Sequence, residues 1–224
     1  MRKQLLAAVL AAFPLFAFPS SAFAQLGYAE GSLGFALLSD ADTDNFSGLT
    51  PGGLFEGSAQ LDYNSQWAAG LEGGFMTAPW RFGFSWDYFS SEVESGDLTG
   101  SLGGAPFDGH ATDEELQNVY GISGNNDVHI FAVNGYYQFG TLDLRGGVQP
   151  YLGAGLGVAT FQDADATFAA TATAGVNFAL GPRAYVGGRY RLAFVSEHAH
   201  DSGVNIRSMW AQTFSIVLGF RSSL

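Results

Sequence analysis

From Trp80 to Phe89 the chain reads Trp-Arg-Phe-Gly-Phe-Ser-Trp-Asp-Tyr-Phe. Positions 80, 82, 84, 86 and 88 are aromatic, and 81, 83, 85 and 87 are Arg, Gly, Ser and Asp. On a helix those five aromatics would scatter around the axis; on a strand they form one face. From Trp80 to Tyr88 an extended chain covers roughly 26 Å. Tilted by about 40°, it rises roughly 20 Å, the height of the apolar band of a membrane-spanning barrel. The spacing predicts Trp80, Trp86 and Tyr88 as outward, interfacial aromatics.

Seven further segments carry the same two-residue period. Residues 27–37 set Ala29, Leu33, Phe35 and Leu37 against Tyr28, Glu30 and Ser32, and 66–76 set Trp67, Ala69, Leu71 and Phe75 against Glu72. Segments 128–139, 150–160 and 167–180 place Val133, Leu152 and Val176 opposite Asn134, Gly153 and Asn177. Residues 183–193 set Val186, Tyr190 and Leu192 against Arg189 and Arg191, and 209–220 set Phe214, Ile216 and Leu218 against Thr213 and Ser215. Connections at 77–79, 181–182 and 140–147 are short or modest. Those at 38–58, 90–127 and 194–208 are long, polar and acidic, with a shorter one at 161–166. Short turns on one side and long loops on the other are the pattern of an up-and-down transmembrane barrel. The predicted fold is all-β: eight antiparallel strands closed into a barrel, with both termini on the periplasmic side.

Composition sharpens this reading. Of 224 residues, 47% are hydrophobic and 13% charged, and glycine numbers 31. The chain has no cysteine, so disulfides and thiolate metal sites are excluded. Arg2 and Lys3, an apolar run over 5–18 and Ala22-Phe23-Ala24 form a secretory signal over 1–24, leaving a barrel domain over 25–224. That mature chain has no lysine. An acidic chain so poor in cations is unsuited to nucleic acid, whose phosphates demand them.

Pro150-Tyr-Leu-Gly-Ala-Gly-Leu-Gly157, Asn134-Gly-Tyr-Tyr-Gln-Phe139 and Gly188-Arg-Tyr-Arg191 resemble, in order and spacing, strand motifs of small outer-membrane barrels. The chain is similar to the opacity-protein-like surface antigens and to the transmembrane domain of outer membrane protein A. The resemblance implies a Gram-negative outer-membrane location and surroundings of outer-membrane lipid and lipopolysaccharide. It also implies biogenesis by the barrel-assembly machinery, a role in envelope integrity and surface display, and no cofactor.

Strand parity turns Glu30, Glu72, Arg81, Asp87, Arg189 and Arg191 into the lumen. In an eight-stranded barrel, just wide enough to be filled by side chains, such charges must pair. They would form a packed polar core in preference to an ion path or gate. Gly153-x-Gly155-x-Gly157 lacks the following helix of a phosphate loop, so these glycines are expected to make room inside the barrel. Asp40, Asp42 and Asp44 begin like a calcium loop, but Asn45 and Pro51 stand where an EF-hand needs Gly and Glu; loose divalent-cation binding stays open. Acidic residues of 90–127 leave recognition of an extracellular ligand and a charged coat equally open. Ser196, Glu197, His198, His200 and Asp201 supply hydrolase residue types without an established geometry, and no metal set is complete. A non-enzymatic surface barrel is therefore expected, with a lipid-A-modifying enzyme and a narrow pore as alternatives.

Overall fold

The computed structural model describes residues 26–44, 46–50, 53–120, 125–140, 142, 147–161, 165–199 and 205–223. The signal segment 1–24, together with Asn45, Pro51, His200 and Asp201, lies outside them. In chain order the strands are β1 (Leu26–Leu38), β2 (Ala41–Asp42), β3 (Phe46–Thr50), β4 (Gly53–Tyr63), β5 (Gln66–Thr77), β6 (Trp80–Leu102) and β7 (Ala105–Thr112). Helix α1 (Asp113–Tyr120) follows. Then come β8 (Asn125–Gln138), β9 (Val148–Phe161), β10 (Thr167–Ala179), β11 (Ala184–Val195), β12 (His198–Ala199), β13 (Asn205–Ile206) and β14 (Met209–Ser223).

Eight of these strands close a barrel. The antiparallel order runs β5-β1-β14-β11-β10-β9-β8-β6, and β6 pairs back to β5. Every strand thus has two partners, and the barrel wall has no open edge. The outer wall inverts the arrangement of a water-soluble fold: Leu33, Phe35, Leu156 and Ile216 are all more than 60% exposed, whereas Glu30, Glu72 and Arg81 are buried. Burial follows strand parity, as in β11, where Tyr185, Arg189 and Arg191 point in and Val186 and Tyr190 lie on the outer side.

Two of the long connections are not loops. Strands β2 and β3 pair with β4, β4 with the distal half of β6, and β6 with β7. This corrects the reading of 38–58 and 90–127 as long loops. Beyond Phe89, β6 continues for roughly 40 Å as the spine of a second, projecting sheet. Apolar residues of that sheet are sparse, but they converge: Phe55, Ala59, Leu61, Val93, Leu98, Ala111 and Leu116 form one buried cluster under α1. The acidic residues that made the segment look unstructured lie on the other side, where Glu56, Glu94 and Asp97 are exposed.

A β-bulge explains why the alternation of β6 could not be followed past residue 89. Asp62 is paired with Ser95 and Tyr63 with Val93, so Glu94 is one residue too many. Inward positions therefore switch from odd numbers, Phe89 and Val93, to even ones, Gly96 and Leu98. Tyr63, at the bulge, packs against both this cluster and a second one at the barrel mouth, and so fastens the sheet to the barrel. Burial there pushes its phenol pKa up.

Helix α1 begins with Thr112-Asp-Glu-Glu115, a capping box. Glu115 accepts from the Thr112 backbone N–H (3.0 Å) and is 3.2 Å from its hydroxyl, contacts that hold its carboxyl below the usual range. The turn from β6 to β7 uses Gly103 and Gly104, both at positive φ as a tight two-residue hairpin requires.

Candidate functional site

The lumen is the site where the predicted charged residues meet, and it is filled in three layers. At the short-turn end, Gln138 donates to Gln149 (3.3 Å), Gln149 donates to the Gly140 carbonyl (3.1 Å), and Arg221 donates to the carbonyl of the buried Leu142 (2.7 Å). Asn177 completes this layer, its Oδ1 buried without a partner among the described residues.

The middle layer is ionic. Arg81 of β6 is fully buried and bridges two carboxylates: Glu30 of β1, at 2.5 and 2.6 Å, and Glu72 of β5, at 2.5 Å. Arg189 of β11 donates to Glu30 and lies 3.7 Å from Glu72. Arg191 donates to Asp87 and, at 3.1 Å, to Glu72. Three carboxylates thus face three guanidiniums, and the layer is formally neutral. Neutrality matters because an unpaired buried ion costs several kcal/mol.

Four tyrosines finish the layer, and the sequence reading had given none of them a role in it. Tyr28 and Tyr136 donate to the two oxygens of Glu72 (2.7 and 2.6 Å), and Tyr185 donates to Glu30 (2.7 Å). The Tyr151 hydroxyl accepts from Arg189 Nε (3.3 Å). The Arg81 guanidinium lies over the rings of Tyr28, Tyr136 and Tyr151, at 4.2, 4.6 and 5.4 Å from their centroids. Each ring rests on a glycine of another strand: Tyr136 on Gly153, Tyr151 on Gly175 and Tyr185 on Gly219 of the adjacent strand, and Tyr28 of β1 on Gly83 of β6, across the intervening β5. A Cβ at any of these four glycines would come within 2.4 Å of the ring or its hydroxyl. Strand parity alone marks the tyrosines as inward, but the ring-on-glycine contact depends on cross-strand register, which a single sequence does not show.

Above the ions, Asn134 donates to Ser85 (2.9 Å) and accepts from Thr171 (3.1 Å), while Arg191 Nε donates to Thr173 (3.1 Å). The third layer, at the long-loop end, is apolar: Phe89, Val128, Ile130, Val195 and Met209 fill a ring of alanines, with Ile206 from β13 packed into it. Beside Asp87 a cavity of about 10 Å³ remains, lined in part by Ser32, Arg189, Thr213 and Ser215, with room for one water molecule.

The other candidates fare differently. Gly153, Gly155 and Gly157 lie within β9, and a Cβ there would meet Tyr136, Asn134 or backbone at 1.9–2.1 Å, so close packing accounts for them. Asp44 pairs with the exposed Arg207 (3.1 Å), and among the described residues no group of three or more His, Asp or Glu is placed to hold a metal ion. Ser196 lies 2.5 Å from the Thr167 hydroxyl. His198 enters β12, but its side chain, like His200 and Asp201, lies outside what is described. Trp80, Trp86 and Tyr88 all sit on the outer wall. Trp80 meets Tyr137 edge-to-face near the short turns, and Trp86 and Tyr88 cluster with His129 near the other rim.

A family model described as outer membrane protein beta-barrel domain matches residues 5–221. No curated protein matches the sequence. Among solved structures, the chain is similar to neisserial surface protein A, with 12% identity and a TM-score of 0.54 over 87% of this chain and 96% of that one. It is also similar to OprG of Pseudomonas aeruginosa, with 16% identity and a TM-score of 0.49 over 90% of this chain and 99% of that one. At these identities the likeness is one of fold.

Proposed function

The chain belongs to the outer membrane protein beta-barrel domain family, and on that premise we propose that it is a closed, non-enzymatic barrel that strengthens the envelope and displays an acidic sheet at the cell surface. One observation carries the reading: the lumen is filled at three levels, by amides and Leu142, by a neutral ion layer, and by an apolar plug. Water and ions crossing such a barrel would have to break buried ion pairs at a cost of several kcal/mol, which opposes a pore. The projecting sheet has a hydrophobic core of its own, as a displayed element needs and a flexible coat does not. Residues 1–24 serve as the export signal in this reading. Lipopolysaccharide surrounds the wall, and the barrel-assembly machinery inserts the chain.

The test is a deletion strain scored for leakage of a hydrophobic dye, complemented with the full chain or with a version shortened within 90–127. The proposal expects leakage on deletion and repair by both versions. A deletion strain with an intact barrier overturns the envelope role. Lipid A masses that change on deletion and fail to return with His198→Ala would instead establish the enzymatic alternative.

A further inference from the structure

The outer wall is mostly apolar, but near the long-loop rim it carries a cluster of ionisable and aromatic side chains. There Trp67, Trp86, Tyr88, Asp127 and His129 form a contiguous patch. Ring centroids of Trp67 and Tyr88 lie 5.0 Å apart, and those of Tyr88 and His129 5.2 Å apart. The planes of the Trp86 and His129 rings are within 19° of parallel, and Trp86 Nε1 donates to His129 Nδ1 at 3.2 Å. That bond places the proton of a neutral His129 on Nε2, which becomes a donor. Tyr88 donates to Asp127 at 2.7 Å, taking one of the carboxylate's several acceptor positions.

An ionisable residue on a lipid-facing wall is costly and is by default a functional group. Its partner follows from what surrounds it. Phosphate is recognised by guanidinium or ammonium groups, and this wall has none among the described residues. Arg81, Arg189 and Arg191 are in the lumen, Arg207 is paired with Asp44, and Arg183 and Arg221 lie at the short-turn end, far from the patch. Asp127 would repel an anion besides. Aromatic faces flanked by one acceptor and one donor suit a sugar ring: its C–H face lies against the negative π-face, and its hydroxyls meet Asp127 and His129 Nε2.

We propose that Trp67, Trp86, Tyr88, Asp127 and His129 bind the saccharide headgroup of a glycolipid in the outer leaflet. The inference rests on the reading that this wall faces that leaflet. At the height of the aromatic belt, a headgroup sugar is the carbohydrate within reach.

The full chain, folded in detergent, is offered a phosphate-free glycolipid, monoglucosyldiacylglycerol, and phosphatidylglycerol with the same acyl chains, and retained lipids are counted by native mass spectrometry. Wild type is expected to prefer the glycolipid by about five-fold, the size of effect a single added hydrogen bond supplies. His129→Phe, which keeps the aromatic ring and removes the donor, and Trp67→Ala are each expected to abolish most of that preference. Folding of each variant is checked by its mobility shift on unheated gels. Equal retention of the two lipids by wild type, a preference for phosphatidylglycerol, or an undiminished preference in both variants overturns the proposal. Retention of neither lipid refutes the lipid-facing premise itself, so that failure is distinguishable. The dye-leak result bears on the envelope role alone.

Discussion

Arg81→Ala strikes the residue on which the ion layer turns. Its guanidinium joins Glu30 and Glu72 at 2.5–2.6 Å and is fully buried among three tyrosine rings. Without it, three carboxylates face two guanidiniums. Removing one partner of a buried ion pair costs about 3–5 kcal/mol, and lost cation–π contacts at a desolvated site add about 2 kcal/mol. A loss of about 5 kcal/mol is comparable with the whole stability of a small domain, about 5–15 kcal/mol. The assay is urea unfolding of the refolded barrel in lipid vesicles, followed by tryptophan fluorescence and gel mobility. A charge-balancing partner makes the test specific: Arg81→Met with Glu30→Gln leaves two carboxylates and two guanidiniums. That double variant is expected to be more stable than Arg81→Met alone by about 2 kcal/mol, a coupling typical of contacting residues. A loss below about 1 kcal/mol for Arg81→Ala, the median worth of an exposed pair, or a double variant no more stable than Arg81→Met, would refute the reasoning.

Three further outcomes are expected. Gly153→Ala puts a methyl 2.1 Å from the Tyr136 ring and is expected to cost about 1–3 kcal/mol, as overpacking does; Gly188→Ala, which meets nothing within 4 Å, is the neutral control in the same unfolding assay. Leu116→Ala removes a fully buried side chain from the projecting sheet's core, a loss of about 2–5 kcal/mol. Protease added outside cells should then cut within β7 and α1 while the barrel band stays intact. The capping box makes α1 acid-sensitive: Glu115 has a lowered pKa when folded, so its contribution is present above its unfolded value of about 4.3 and is lost as pH falls through the folded one. Protection factors of the α1 amides, corrected for the intrinsic slowing of exchange in acid, should fall on acidification in wild type and lose that dependence in Glu115→Gln.

The barrel was legible because its chemistry repeats every second residue. Trp80 to Tyr88 outward and Arg81 to Asp87 inward is a pattern that only a strand accommodates, and the parity of Glu30, Glu72, Arg189 and Arg191 placed them in the same lumen. Parity is local, however, and pairing is not. Which arginine meets which carboxylate depends on the register between strands far apart in sequence, such as Arg189 on Glu30. The projecting sheet was illegible for a different reason. Glu94 shifts the phase of β6 by one residue, and beyond it Leu98 and Leu102 are too sparse for periodicity to emerge from the acidic background. Tyr63 lies outside every predicted strand, and its role depends on two clusters brought together by the bulge.

The central claim is a sealed barrel, and single-channel recording of the full, folded chain in a planar bilayer tests it most directly. The account predicts a silent membrane at neutral pH while gel mobility shows the inserted protein to be folded. Stepwise conductance from that same folded protein would contradict it, and a conductance altered by Arg189→Ala or Arg191→Ala would locate the path through the ion layer.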